Sequence, residues 1–135
     1  MSKIEEIRSQ VLSETDTAQQ SLESFLDKLD STNTTELRFD LPFHGDLAFS
    51  VLKDRGFKKV ETVLFENEGE VTSIMNIPEG IRDLSVNNQL IISIDKLPNS
   101  IEILSVSDNH ITKFDASMVP KLHTLNISNN ELTEL

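Results

Sequence analysis

The sequence predicts an α/β solenoid: about five short stacked units, each giving one strand to a parallel sheet on the concave face, preceded by an N-terminal helical cap. Three observations carry this. The triplet apolar, any residue, apolar recurs at Leu84-Ser85-Val86, Leu104-Ser105-Val106 and Leu125-Asn126-Ile127, offset by 20 and 21 residues. Each copy has an apolar residue three positions earlier (Ile81, Ile101, Leu122), another five after the triplet (Ile91, Ile111, Leu132) and a last one three further on (Ile94, Phe114, Leu135). Ahead of these copies, residues 3–30 carry an apolar stripe at helical spacing. A fixed period near 20 residues means units too small to bury their own apolar faces, which share a core by stacking.

The stripe consists of Ile4, Ile7, Val11, Ala18, Leu22, Phe25 and Leu29, three, four or seven apart, with a polar opposite face. It fades across Ser13-Glu14-Thr15-Asp16-Thr17, residue types that favour helix starts over helix interiors. The reading is two helices, about 3–13 and 17–30, or one long helix with a weak middle. Ser31-Thr32-Asn33-Thr34 ends the helical region as a polar turn. Residues 1–34 therefore form the cap, or dock elsewhere: Ala18, Leu22, Phe25 and Leu29 also have heptad-like spacing.

Residues 35–135 form the stacked region, with units near 35–59, 60–80, 81–100, 101–121 and 122–135. Leu37-Arg38-Phe39 has the triplet form, with Leu41 continuing the alternation of a strand until Pro42. Residues 46–55 look helical, with Asp46 at the N-cap, Leu47, Val51 and Leu52 on one face, and Gly56 where a C-terminal glycine belongs. The next triplet, Val63-Leu64-Phe65, has Val60 three residues before it. The crossover rule makes this a β-α-β unit with parallel strands. The second unit continues through Val71 and Ile74 with one extra residue before them. Pro78, Pro98 and Pro120 then punctuate the later returns, which are too short for a full helix and should run extended. Strands are expected around residues 38, 64, 85, 105 and 126.

These residues resemble the leucine-rich repeat family, whose pattern is L-x-x-L-x-L-x-x-N-x-L. The resemblance covers 60–135 and extends to 35–59 by extrapolation; Leu97-Pro98 and Val119-Pro120 are most similar to the compact 20-residue class of secreted bacterial effectors. The asparagine of the pattern sits inside the turn after the strand and bonds backbone groups that the bend leaves unpaired. Asn109 and Asn130 match it, whereas the first regular copy has Gln89 after Asn87 and Asn88, implying a looser or shifted bend. Leu135 is the final apolar position of the last copy, so a truncated repeat protein, or an end buried by another chain, is expected.

Composition narrows the chemistry. The formal net charge is -11, with 12 basic and 23 acidic side chains spread along the chain and no basic patch. Binding to a phosphate backbone is opposed by that field, so no nucleic-acid partner is expected. There is no cysteine, the first residues are charged, and an apolar leader or membrane span is lacking. An intracellular, cytoplasmic setting fits, with delivery into a host cell as the variant that the effector resemblance implies. Seven Phe are the whole aromatic complement. The sequence holds no G-x-S-x-G elbow, glycine-rich phosphate loop or H-E-x-x-H, and His44, His110 and His123 fall in different units, so neither catalysis, nor a metal, nor a cofactor is expected.

What remains is a surface. Strand alternation turns the apolar pair of each triplet inward and its middle residue outward. The outward columns are Thr62, Leu64 and Glu66; Asp83, Ser85 and Asn87; Ile103, Ser105 and Ser107; Thr124, Asn126 and Ser128. They form a polar, mildly acidic face with an apolar spot at Leu64 and Ile103. The expected function is a non-catalytic protein–protein interaction module presenting this face. The alternatives are a structural role, in which the helices and open C-terminal end mediate self-association or scaffold contact, and the targeting part of a larger enzyme such as an effector ligase.

Overall fold

The computed structural model describes residues 18–39, 43–94 and 96–133. Helix α1, Ala18–Leu26, realises the second half of the apolar stripe; the expected helix 3–13 lies outside the described residues. Leu22 and Leu26 are fully buried, and Phe25 and Leu29 pack partly against the same core. Beyond Leu26 the chain tightens through Lys28 N–H to Phe25 O and Leu29 N–H to Leu26 O, then turns where the Asp30 carboxylate accepts from Thr32 N and Asn33 Nδ2.

Strands β1 (Glu36–Phe39), β3 (Thr62–Phe65), β5 (Asp83–Val86), β6 (Ile103–Ser105) and β7 (Thr124–Asn126) form one sheet in the order β1-β3-β5-β6-β7, every pairing parallel. The strands fall at the expected positions. Their register lines up the spaced apolar residues: Leu37, Val63, Leu84, Leu104 and Leu125 occupy one row, Phe39, Phe65 and Val86 another. Leu37, Val63, Leu84 and Leu104 are fully buried.

A second, two-stranded sheet pairs β2 (His44–Ala48) in parallel with β4 (Glu70–Met75). This corrects the helix expected over 46–55. Only Ser50–Asp54 is helical (α2), and Asp46 lies on a strand rather than at an N-cap. The physical reason is a period of two: Phe43, Leu47 and Phe49 turn inward together, and β4 supplies a pairing edge 26 residues downstream that no local window reveals. The register slips between Gly45 and Asp46, where Gly45 has φ +104°; this bulge leaves Thr72 opposite no partner. The Asp46 carboxylate accepts from the hydroxyls of Thr72 (2.6 Å) and Ser73 (2.8 Å) across it. Helix α2 closes as expected at Gly56, whose φ is +82°, with Gly56 N–H on Lys53 O and Phe57 N–H on Leu52 O.

After β4 the described returns contain no α-helix, only a 3-10 turn at Ala116–Met118 that Asp115 caps through Ser117 N. A few backbone bonds extend the second sheet's line: Leu90 N–H to Val71 O, His110 N–H to Ile91 O with Thr112 N–H to Ile92 O, and Glu131 N–H to Ile111 O with Thr133 N–H to Thr112 O. Between the two layers lies one core, aromatic near α1, where the Phe39 ring packs within 4.8–5.1 Å of those of Phe25, Phe43 and Phe65, and aliphatic further along. No helix of the described residues is long and apolar enough to cross a membrane.

Candidate functional site

The outward face of the five-stranded sheet is built by register. One row reads Glu36, Thr62, Asp83, Ile103, Thr124; the next outward row reads Arg38, Leu64, Ser85, Ser105, Asn126. Neighbours within a row are about 4.8 Å apart, the strand spacing. Glu66, Asn87, Ser107 and Ser128 follow at the C-terminal ends of the strands. The expected columns thus share one face, which also includes Glu36 and Arg38. Those two were missed because the first triplet was read for its apolar pair alone. Arg38 is held by Glu36 and by Glu66 at 2.8 Å.

The two halves of the face spend their polar groups differently. Toward the C-terminal ends of β5–β7 the side chains bond one another. Asn87 Oδ1 accepts from Ser105 Oγ (2.9 Å), Ser107 N (2.8 Å) and Ser107 Oγ (3.0 Å), while its amide donates to Ser85 Oγ. Asn126 Oδ1 accepts from Ser128 N and Oγ. Ser107, expected on the surface, is only 7% exposed: its hydroxyl turns back to Asn87. Toward the N-terminal ends of β5 and β6 the groups are freer. Ile103 is 41% exposed beside Asp83, and Leu64 is half-buried. The Asp83 carboxylate has no hydrogen-bond or ion-pair partner among the described residues. Partial burial, and then the charge of Glu36, push its carboxyl above the usual carboxylate range.

A row of buried amides fixes the bend after each strand. Asn109 Oδ1 accepts from Ile91 N, and its Nδ2 reaches the carbonyls of Val86, Val106 and Ser107. Asn130 does the same for Ile111 N and the carbonyls of Val106, Ile127 and Ser128. Gln89, 3% exposed, belongs to the row: its Oε1 accepts from Val71 N, while its Nε2 donates to Asn67 O and Asn87 O. The expected looser or shifted bend is not seen, since Asn88 has the left-handed φ found at the other two bends; the difference is in the amide's partners, reached by one more methylene. Gly69 makes the room, since a Cβ there would lie 2.8 Å from Gln89 Oε1 and 3.2 Å from the Phe43 backbone. The residue before each amide is left-handed: Asn88 at φ 59°, Asp108 at 57° and Asn129 at 55°. Asn and Asp tolerate that conformation best among residues with a side chain, a signal present in the sequence and overlooked.

Each histidine faces a glutamate from a neighbouring turn: His44 with Glu70 at 3.0 Å, His110 with Glu131 at 3.3 Å and His123 with Glu102 at 3.5 Å. Glu102 also takes Arg82 at 2.7 Å, and that bond chiefly lowers its carboxyl's pKa. These pairs lie at separate places along the stack, and no group of three or more metal-ligating side chains converges among the described residues. No protein-family model matches the chain, and no curated protein matches it significantly.

Proposed function

We propose that the chain is a short leucine-rich solenoid acting as a non-catalytic protein–protein interaction module, with the outward face of the five-stranded sheet as its concave binding surface. The parallel register of spaced leucines and the buried amide row support the solenoid reading. One observation carries the binding reading: the polar groups toward the C-terminal ends of β5–β7 are mutually bonded, whereas Ile103, Leu64 and the Asp83 carboxylate, which has no partner among the described residues, lie on neighbouring strands of the same face. A partner contacting that spot buries apolar area and satisfies a carboxylate without ordering a loop, so the entropic cost of binding is low. The net charge of -11 favours a partner with a basic side chain at this point. A chain without cysteine suits a reducing compartment, which is where we place this function.

Selection of binders from a random peptide library tests the face. Binders should lose affinity for Ile103→Arg and Ser105→Arg variants and keep it for Ile92→Arg, a 60%-exposed position on the line of the second sheet. Binders that ignore both face variants overturn the reading. An assembly role is the second reading, favoured by the opposite edge: Leu125 is 38% exposed on β7, and Leu122, Ile127 and Leu132 are only partly buried. It requires a solution mass that rises with concentration and falls back to that of one chain on Leu125→Glu.

A further inference from the structure

We propose that a second site, away from the sheet face, takes an aliphatic carboxylate. Where α2 runs into β3, and the Pro78 turn passes beside it, the structure has a half-open cavity of about 300 Å³. That is the lower end of the range for small-ligand sites. Its floor is apolar: Leu52, Phe57, Val60 and Ile81 line it, and all belong to the buried core. Two exposed lysines, Lys53 and Lys58, line it as well.

The charge here runs against the rest of the molecule and corrects the expectation of no basic patch. Lys53, Arg55, Lys58 and Lys59 place four of the chain's 12 basic residues within seven positions, 53–59, which hold one acid, Asp54. Arg55 is consumed by Asp27 and Glu23 of the segment around α1. Lys53 and Lys58 are in no ion pair among the described residues. Glu79, next to Pro78, is the one acid lining the cavity among the described residues. A ligand that suits the place has a short hydrocarbon part for the floor and a single carboxylate for the two ammoniums. A second negative charge would meet Glu79. Lysine, a compact ion on a flexible stem, can close over such a carboxylate from either side.

Two sources share this chemistry: a free short-chain fatty acid, and the C-terminal carboxylate of a peptide ending in an aliphatic residue. Titration of the isotope-labelled protein with octanoate, followed by amide chemical shifts, is the direct test. Saturable shifts centred on Lys53, Lys58 and Ile81 are expected, with affinity falling about tenfold in Lys53→Gln/Lys58→Gln and rising in Glu79→Gln. Lys53, Lys58 and Glu79 are exposed, so the variants should keep the native circular dichroism. Octylamine should bind at least as weakly as octanoate binds to the double lysine variant. A tripeptide ending in leucine, compared with its C-terminal amide, separates the sources: binding of the free form alone assigns a peptide terminus, and binding of octanoate without either peptide assigns a free acid. Equal binding of octanoate and octylamine, shifts centred on the exposed β7 edge instead, or no binding of octanoate or peptide overturns the site.

Discussion

The two ends of the five-stranded sheet share one backbone geometry and differ in how they are finished. At the β1 end, α1 lies over the stack, Phe25, Phe39, Phe43 and Phe65 interlock, and Leu22 and Leu26 are fully buried. At the β7 end the same inward row closes on Leu125, which is 38% exposed, while its row-mates Leu84 and Leu104 are at 0%. An apolar side chain at the right register position therefore does not guarantee burial; its neighbour must be present as well. Stability should be graded along the stack, because local opening is cheapest where packing is thinnest.

That gradient can be broken most strongly in the middle. Leu104→Ala should cost about 2–5 kcal/mol in urea unfolding, whereas Leu125→Ala should cost clearly less, since 38% of that residue stays in water and its loss leaves no enclosed cavity. Equal losses would mean that the β7 end is covered as well as the centre. Next come the amides. Asn109→Ala strands the Ile91 N–H and the Val86 carbonyl in a buried place, a cost of about 1–3 kcal/mol. Asn130→Ala should cost less, because water reaches the partly buried bend. Gln89→Asn sharpens the point at the other end of the row. A side chain one methylene shorter must release Val71 N–H or Asn67 O, so hydrogen exchange at Val71 should speed up, with a loss on the order of 1 kcal/mol.

The smallest effect concerns Asp83. Its carboxyl holds a proton more tightly in the folded chain than in the unfolded one, through burial first and Glu36 second. The associated destabilisation is absent below the unfolded pKa and grows as pH rises through the folded value. Asp83→Asn should therefore raise the melting temperature slightly at neutral pH and leave it unchanged in strong acid. A rise that persists at low pH would assign the effect to something other than ionisation.

Much of the five-stranded sheet was legible because its determinants are local and periodic. Leu84, Leu104 and Leu125 announce their register by spacing alone, and Asn109 and Asn130 announce their bends. Position 89 was harder, since its fit depends on Gly69 lying close by in space and not on its own neighbourhood. The second sheet was illegible for the same reason: the fate of Asp46 and Leu47 is settled by β4, and a helix-compatible spacing at Leu47, Val51 and Leu52 points the wrong way until that partner is known. On the candidate face, which side chains point outward followed from alternation. Which of them were already engaged, as Ser107 is, required the cross-strand bonds.

The buried amides also impose a direction in time. Asn109 completes the backbone around Ile91, Asn130 that around Ile111, and Gln89 that around Val71, each serving a layer made 18 or 19 residues earlier. A polypeptide leaving the ribosome thus finishes each layer only after the following bend has emerged. Vectorial synthesis and stacking order coincide, so the growing molecule carries a single unfinished layer at its leading edge.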